Sequence, residues 1–175
     1  DSIRQGDLMQ RVKILRIGKE AKAFDAVKTF QTTLNTMLEL EVLKKKKQAK
    51  DSMLFSKKMK ESQALVLPSG LKIIHLNKGN GKRVREGNRI RVHYTGYYAH
   101  GAIFDSSLSR GQTFDFVVGV DRVIEGWTLG VQQLEEGGSA RLFIPYSLAY
   151  GAKGFGIIPP KASLVFDIEI IKIED

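Results

Sequence analysis

Residues 123–134, which read VIEGWTLGVQQL, decide the fold of this chain. Ile124, Trp127, Val131 and Leu134 recur at intervals of three or four residues, the period of a helix with one apolar face. The segments on both sides alternate between strands and turns, so this stretch is expected to be the only helix of its domain. A single antiparallel sheet wrapped on one short helix, with the apolar side of the helix against the sheet, is an α+β architecture.

Six segments around that helix combine β-branched and aromatic residues with alternation, a pattern that predicts strands. Turns that contain glycine separate them, at 79–81, 100–101, 110–111 and 136–138. The predicted strands are 71–77, 89–98, 103–106, 113–118, 139–144 and 164–172.

Residues 1–67 differ from the rest of the chain in composition. They hold two of the 17 glycines and none of the four prolines, and they carry 15 Lys and Arg against 8 Asp and Glu. Because Gly and Pro mark turns, this part is expected to be mostly helical and to end near Pro68. Residues 12–17 are rich in β-branched residues and are predicted to form a short strand that ends at Gly18.

No Gly or Pro occurs between residues 19 and 63, and apolar residues recur there with a helical period, which predicts an amphipathic helix. Its first half has a strong stripe of Phe24, Val27, Leu34 and Leu38, and its second half has a thinner stripe of Ala49, Met53, Ser56 and Met59. A single helix cannot bury such a stripe on itself. We therefore expect it to pack on a second copy of the chain, on a domain upstream of it, or on its own folded-back end.

Several classes of function are excluded by composition. The chain has no Cys, so disulfides, thiolate metal sites and cysteine nucleophiles are excluded. No run of 18 apolar residues is present, so no membrane span is predicted. The net charge of +9 and the Lys44–Lys47 run indicate a solvated helix face rather than specific nucleic-acid binding, because no aromatic residues interleave with the lysines. His75, His93 and His100 lack metal-ligand spacing, so neither a metal nor another cofactor is expected.

Six motifs occur in order in the second part of the chain: RVHYTG (91–96), FDSS (104–107), VIEGW (123–127), AYG (149–151), IIPP (157–160) and LVFD (164–167). With these motifs, residues 68–175 resemble the FKBP-type peptidyl-prolyl cis-trans isomerases. The resemblance implies a half-barrel of antiparallel strands around one short helix. It also implies an apolar pocket between helix and sheet that binds a prolyl peptide or a macrolide inhibitor.

The same resemblance assigns roles within that pocket. Trp127 is expected to be the floor under the proline ring, and Tyr150 to donate its hydroxyl to a substrate carbonyl. Asp105 is expected to bond to Tyr94 and pair with Arg110, setting the polarity of the pocket rather than transferring a proton. The expected catalytic residues are Asp105, Tyr150, Trp127 and Tyr94, and the expected substrate-binding residues are Phe104, Phe114, Val123, Ile124, Ile157, Ile158, Phe166 and Arg110.

The loop after Tyr150 departs from the family pattern. It reads GAKGFGI, one residue shorter than the common form, and Phe155 stands where His-Pro is often found. This departure affects the expected rim of the pocket and its sequence preference, and leaves the expected floor unchanged.

The stretches GDLMQRVKI (6–14) and GKEAKAFDA (18–26) resemble the final strand and tail of a bacterial cyclophilin domain, a resemblance that covers residues 1–25. Cyclophilins are the other large class of prolyl isomerases. The resemblance implies a cyclophilin–FKBP fusion of which this chain is the later part. We thus predict three regions: residues 1–18, a strand remnant of an upstream domain; 19–67, a helical linker or dimerisation arm; and 68–175, the isomerase domain. The expected location is the bacterial cytoplasm or periplasm.

The predicted function is peptidyl-prolyl isomerisation in unfolded or partly folded polypeptides. The alternative is a non-catalytic peptide-binding or chaperone module that uses the same pocket. Degenerate members of the family usually lose the floor aromatic residue, the aspartate or the loop tyrosine. Trp127, Asp105 and Tyr150 are all present in this chain, which favours catalysis. A third reading, in which the helical arm is the functional part, predicts that deleting residues 1–67 abolishes function whereas pocket substitutions do not.

Overall fold

The computed structural model describes residues 25–174, and the chain divides into two compact units, residues 1–45 and 46–175. The strand predicted at 12–17, the beginning of the predicted helical arm and nearly all of the cyclophilin-like stretch lie outside the described residues. Among the helices of the described part, none is both long enough and apolar enough to cross a bilayer.

A single helix, α1 (Ala26–Lys58), fills most of the region that lacks Gly and Pro. Asp25 caps its start, because its carboxylate accepts the Lys28 N–H at 2.9 Å. The helix stops earlier than residue 63 because Lys60 adopts a left-handed conformation at φ 59°. In the first unit, its large apolar side chains are exposed: Val27, Phe30, Leu34, Met37, Leu38, Leu40, Val42 and Leu43.

Seven antiparallel strands within residues 65–174 form one sheet, in the order β1-β2-β6-β7-β3-β4, with β5 also paired to β3. Leu65 pairs with Ile73, so the sheet begins slightly before the predicted boundary at Pro68. The strands are β1 (Leu65–Val66), β2 (Lys72–Asn77), β3 (Arg89–Tyr98), β4 (Ile103–Ser106), β5 (Phe114–Val117), β6 (Ser139–Ile144) and β7 (Leu164–Glu174).

The expectation of only one helix in this domain is wrong. A one-turn helix, α2 (Ser107–Arg110), follows β4 directly, and α3 (Glu125–Val131) is the helix that the apolar period predicts. The Ser106 hydroxyl accepts the Ser109 N–H at 3.4 Å, and Gly111 ends the turn at φ 65°. Four residues are too few for a helical period to be seen in sequence, so only the capping residues could have indicated α2.

The sheet has two differently covered faces. On the inner face, α3 packs over a core that includes Val92, Trp127 and Phe166. Helix α3 lies very close to β6, because a Cβ at Gly126 or Gly130 would lie less than 2.5 Å from side-chain atoms of Ile144 or Leu142. On the outer face, Phe55 in the last turn of α1 and Met59 just after it form a smaller cluster with Phe143 and Val165.

Candidate functional site

A cavity of about 420 Å³ opens between α3 and the inner face of the sheet. Alternation along β3 and β7 directs Tyr94 and Phe166 into it, and the residue pair Gly96–Phe166 fixes the register of these strands. The cavity is lined by Tyr94, Phe104, Asp105, Phe114, Arg122, Val123, Ile124, Glu125, Trp127, Ala149, Tyr150 and Phe166.

Trp127 forms the floor of this cavity. Its side chain is only 5% exposed, and its ring centroid lies 4.9 Å from that of Tyr94 and 5.3 Å from that of Phe166, both edge-to-face. The ring centroids of Phe114 and Phe116 each lie 5.8 Å from that of Trp127 and complete the aromatic cluster around it. The indole Nε1 is buried without a hydrogen-bond partner, so the floor offers almost entirely aromatic surface.

Asp105, Tyr94 and Arg110 form a bonded group at one wall. The Tyr94 hydroxyl donates to Asp105 Oδ2 at 2.5 Å and accepts from Arg110 Nη2 at 2.9 Å. Arg110 Nη1 also donates to Asp105 Oδ1, and the guanidinium lies 5.7 Å from the Tyr94 ring centroid. Both acceptor oxygens of the carboxylate are therefore occupied by protein donors.

This bonding decides the charge of the group. Burial raises the pKa of Asp105, but the hydrogen bonds from Tyr94 and Arg110 outweigh it, so the net pKa lies below the ordinary value. Burial, together with the neighbouring carboxylate, raises the pKa of the Tyr94 hydroxyl. At neutral pH, Asp105 is thus a carboxylate and Tyr94 a neutral phenol, and neither is poised to transfer a proton.

Two hydrogen-bond donors at the mouth of the cavity have no partner among the described residues. One is the Tyr150 hydroxyl, which belongs to a cavity-lining side chain that is 36% exposed. The other is the backbone N–H of Ile124, the residue that precedes the first turn of α3. Burial, followed by the charge of Asp105, raises the pKa of Tyr150, so its hydroxyl keeps its proton.

Ile157 and Ile158 do not line the cavity, although both were expected at its rim. Ile158 is buried in the core at 5% exposure, whereas Ile157 is 71% exposed and its carbonyl accepts the Tyr98 hydroxyl at 2.8 Å. Arg110 does not line the cavity either and acts on it only through Asp105 and Tyr94. The other nine expected residues line the cavity together.

Sequence reasoning missed several residues that shape the site. Arg122, Glu125 and Ala149 line the cavity. Glu125 and Ala149 belong to the VIEGW and AYG motifs and Arg122 directly precedes the first of them, and this position in the sequence was the only signal for them. Phe155 stacks on Tyr150 with ring centroids 5.9 Å apart and planes 12° apart. Fully buried Ser107 accepts the Tyr94 N–H at 2.8 Å and lies 3.0 Å from His93 Nδ1, so it fixes the backbone that carries Tyr94.

The chemistry that this arrangement permits is binding rather than bond cleavage. An apolar ring fits over Trp127, while donors from Tyr150 and Ile124 are free to hold two backbone carbonyls beside it. The described residues contain no group of His, Cys, Asp or Glu that could hold a metal ion. The site is therefore an aromatic cavity with two donors at its mouth that have no partner within residues 25–174.

Comparison with known proteins agrees with this geometry. The sequence profile of FKBP-type peptidyl-prolyl cis-trans isomerases matches residues 80–171. The chain is 45% identical over 109 residues to FK506-binding protein 1 of Candida glabrata, covering 61% of this chain and 96% of that protein. It is 46% identical over 105 residues to the FK506-binding protein of Neisseria meningitidis serogroup B, covering 59% of this chain and 96% of that protein. The crystal structure of FkpA from Escherichia coli is similar with a TM-score of 0.61 at 30% identity, covering 86% of this chain and 74% of that one.

Proposed function

Because this chain belongs to the FKBP-type peptidyl-prolyl cis-trans isomerases, it accelerates rotation about X–Pro bonds, and we propose that the cavity over Trp127 is where it does so. The observation that carries this assignment is the combination of an aromatic floor with two unpartnered donors at the mouth of the cavity. The substrate class is proline-containing segments of unfolded or partly folded polypeptide.

The reaction breaks no bond. Its obstacle is the partial double-bond character of the peptide, which gives a rotation barrier of about 18–20 kcal/mol. In the twisted transition state the amide loses resonance and becomes less charge-separated. A water-excluded apolar cavity stabilises that state relative to the planar amide, which water solvates more strongly.

Different residues of the cavity hold the proline ring, hold the flanking chain and keep the cavity wall in place. Trp127, with Tyr94, Phe104 and Phe166 as walls, holds the proline ring. The Tyr150 hydroxyl and the Ile124 N–H hold carbonyls on either side of the rotating bond, so that the flanking chain stays fixed while the bond turns. Asp105 and Arg110 keep the Tyr94 hydroxyl bonded and so keep its ring in place.

The cavity is also the proposed site for a macrolide. The similar proteins from Candida glabrata and Neisseria meningitidis are FK506-binding proteins, and the cavity of this chain offers apolar surface on Trp127, Phe104 and Phe166. A macrolide that fills the cavity is expected to block isomerisation.

The test is an isomerisation assay on a short X–Pro peptide. We expect Trp127→Ala, Asp105→Ala and Tyr150→Phe to lower kcat/KM, the last by about ten-fold for the loss of one hydrogen bond. Tyr146→Phe is the matched control, because Tyr146 is 41% exposed and does not line the cavity. A wild-type chain that binds the peptide without accelerating isomerisation would favour the non-catalytic binding module instead.

We further propose that the exposed apolar face of α1 packs against a second copy of the chain. Eight large apolar side chains between Val27 and Leu43 are exposed in the first unit, which is far more than an isolated helix face usually shows. Sedimentation velocity should show a dimer that Leu34→Asp with Leu38→Asp dissociates. A monomer at all concentrations would instead assign this face to an upstream domain.

A further inference from the structure

A second concave surface lies outside the cavity, where the end of α1 borders the sheet. It consists of two adjoining hollows of about 410 and about 480 Å³. Both hollows are lined by Ser52, Ala99 and Ser163, so they form one continuous groove within residues 46–175. We call it the outer groove.

The surface of the outer groove is mainly apolar. The first hollow runs over the outer face of the sheet, past Phe55, Phe143 and Val165. The second runs past Tyr98 and the loop that carries Ile157. The Ser52 hydroxyl already donates its hydrogen bond to the Gln48 carbonyl at 2.9 Å, so an apolar ligand beside it does not leave this donor without a partner.

The walls of the groove are held firmly in place. Arg141 bonds Asp167 through two parallel contacts of 2.7 and 2.8 Å and also reaches the Met59 carbonyl at 3.4 Å. Glu61 accepts from Lys72 at 2.8 Å and from Ser56 at 2.7 Å. These bonds tie the last turns of α1 to the sheet, so a ligand would meet a preformed surface and bind at a smaller entropic cost.

The outer groove lies beside a wall of the proline cavity. Tyr98, which lines the groove, packs on cavity-lining Phe104 with ring centroids 5.0 Å apart. Its hydroxyl also holds the Ile157 carbonyl at 2.8 Å. On that loop, the side chains of Ile157 and Phe155 are 71% and 73% exposed, and Phe155 stacks on Tyr150 at the cavity mouth.

We propose that the outer groove binds an apolar segment of the same polypeptide whose X–Pro bond occupies the cavity. The proposal rests on the proposed function of the cavity. Because Tyr98 contacts both the cavity wall and the loop that carries Ile157, an extended chain that leaves the cavity on this side passes over that loop into the groove. Joining two contacts on one chain makes the second one intramolecular, so long unfolded substrates bind more tightly than tetrapeptides.

The test fills the groove with a large side chain. Ser52→Trp and Ala99→Trp each place an indole where the two hollows meet. Leu54→Trp is the matched control, because Leu54 is 57% exposed on the same helix and does not line the groove. The quantity compared is kcat/KM for an unfolded protein whose refolding is limited by proline isomerisation, divided by kcat/KM for an X–Pro tetrapeptide.

We expect this ratio to fall about ten-fold in both groove variants and to stay at the wild-type value in Leu54→Trp. A ten-fold fall is what the lost burial of roughly one apolar substrate side chain in the groove would cause. A second measurement does not depend on catalysis: fluorescence anisotropy of a labelled, permanently unfolded protein should show a similarly weakened Kd in the groove variants. A wild-type rate of zero on the tetrapeptide would refute the proposed function, whereas the anisotropy result would still decide the groove.

Three outcomes would overturn the proposal. The first is an unchanged ratio and Kd in both groove variants. The second is an equal fall in Leu54→Trp, which would trace the effect to the added indole rather than to the groove. The third is a change of association state in sedimentation that accompanies the fall, which would make a second copy the occupant.

Discussion

Replacing Gly130 by alanine is expected to impair catalysis far more than stability, because the glycine sets how closely α3 approaches the sheet. A Cβ at this position would lie 2.3 Å from Leu142 Cδ1, and the same change at Gly126 would bring it 2.4 Å from Ile144 Cγ2. Carbon atoms pack at about 3.5–4.0 Å, so the helix or Leu142 must move by about 1 Å or more. Trp127 lies between the two glycines on the same helix and would move with it.

The structure sets the magnitudes. Overpacking costs about 1–3 kcal/mol, and alanine recovers about 1 kcal/mol through its higher helix propensity, so the net loss of stability is about 0–2 kcal/mol. Displacing a substrate-positioning group by about 1 Å can cost about a hundred-fold in rate. We therefore expect kcat/KM on a short X–Pro peptide to fall between ten- and a hundred-fold in a chain that is still folded.

Three measurements test this together. They are kcat/KM, the free energy of unfolding in urea, and the fluorescence of Trp127, which reports directly on the cavity floor because the chain has a single Trp. Thr128→Ala is the matched control, since it changes helix propensity on the same helix without lining the cavity.

A double variant separates the steric effect from other causes. Leu142→Ala removes the atoms that Gly130→Ala would strike, so the two changes should be coupled and the double variant should recover much of the lost kcat/KM. Gly130→Ala with wild-type kcat/KM and unchanged Trp127 fluorescence would refute the reasoning.

Three further predictions concern other parts of the domain. Because the pKa of Asp105 is lowered in the folded chain, the ionised carboxylate stabilises the fold fully above the ordinary pKa of 3.8, and this stabilisation is lost as the pH falls through the lower folded pKa. The difference in melting temperature between wild type and Asp105→Asn should therefore be constant at neutral pH and shrink below about pH 4. Phe155→Ala should raise KM a few-fold and change the free energy of unfolding by less than about 0.5 kcal/mol, because the ring is 73% exposed. An unchanged KM, or a loss of unfolding free energy well above that limit, would contradict this. Asp167→Ala should destabilise the domain by roughly 2–3 kcal/mol in urea unfolding, because it leaves the half-buried Arg141 guanidinium without its carboxylate partner. The double variant Arg141→Met with Asp167→Leu should recover most of that loss.

Much of the fold was predictable because it depends on local periodicity. The alternation along β3, β4 and β6 predicted those strands with the bounds that the structure has, and the spacing of Ile124, Trp127 and Val131 predicted α3. The expected stripe of Ala49, Met53, Ser56 and Met59 was only partly correct. Met59 is buried, whereas Met53 is 78% exposed, because Phe55 and Met59 are the residues that meet the outer face of the sheet.

The sequence by itself determined the chemistry of the cavity: which residues supply an aromatic floor, a bonded carboxylate and a tyrosine donor. Trp127, Tyr94 and Phe166 lie at positions that the helical period or strand alternation directs inward, whereas Tyr150 lies in a turn and was identified only by the resemblance of its AYG motif. Tertiary structure alone decided what borders the cavity. Ile157 and Ile158 are adjacent in the chain, yet one is exposed and the other buried, because the hydrogen bonds between Phe155 and Ile158 turn the loop back on itself. The outer groove likewise depends on the packing of the end of α1 on the sheet, through the apolar cluster of Phe55, Met59, Phe143 and Val165 and the hydrogen bond from Arg141 to the Met59 carbonyl. No local pattern encodes contacts between residues so far apart in the chain.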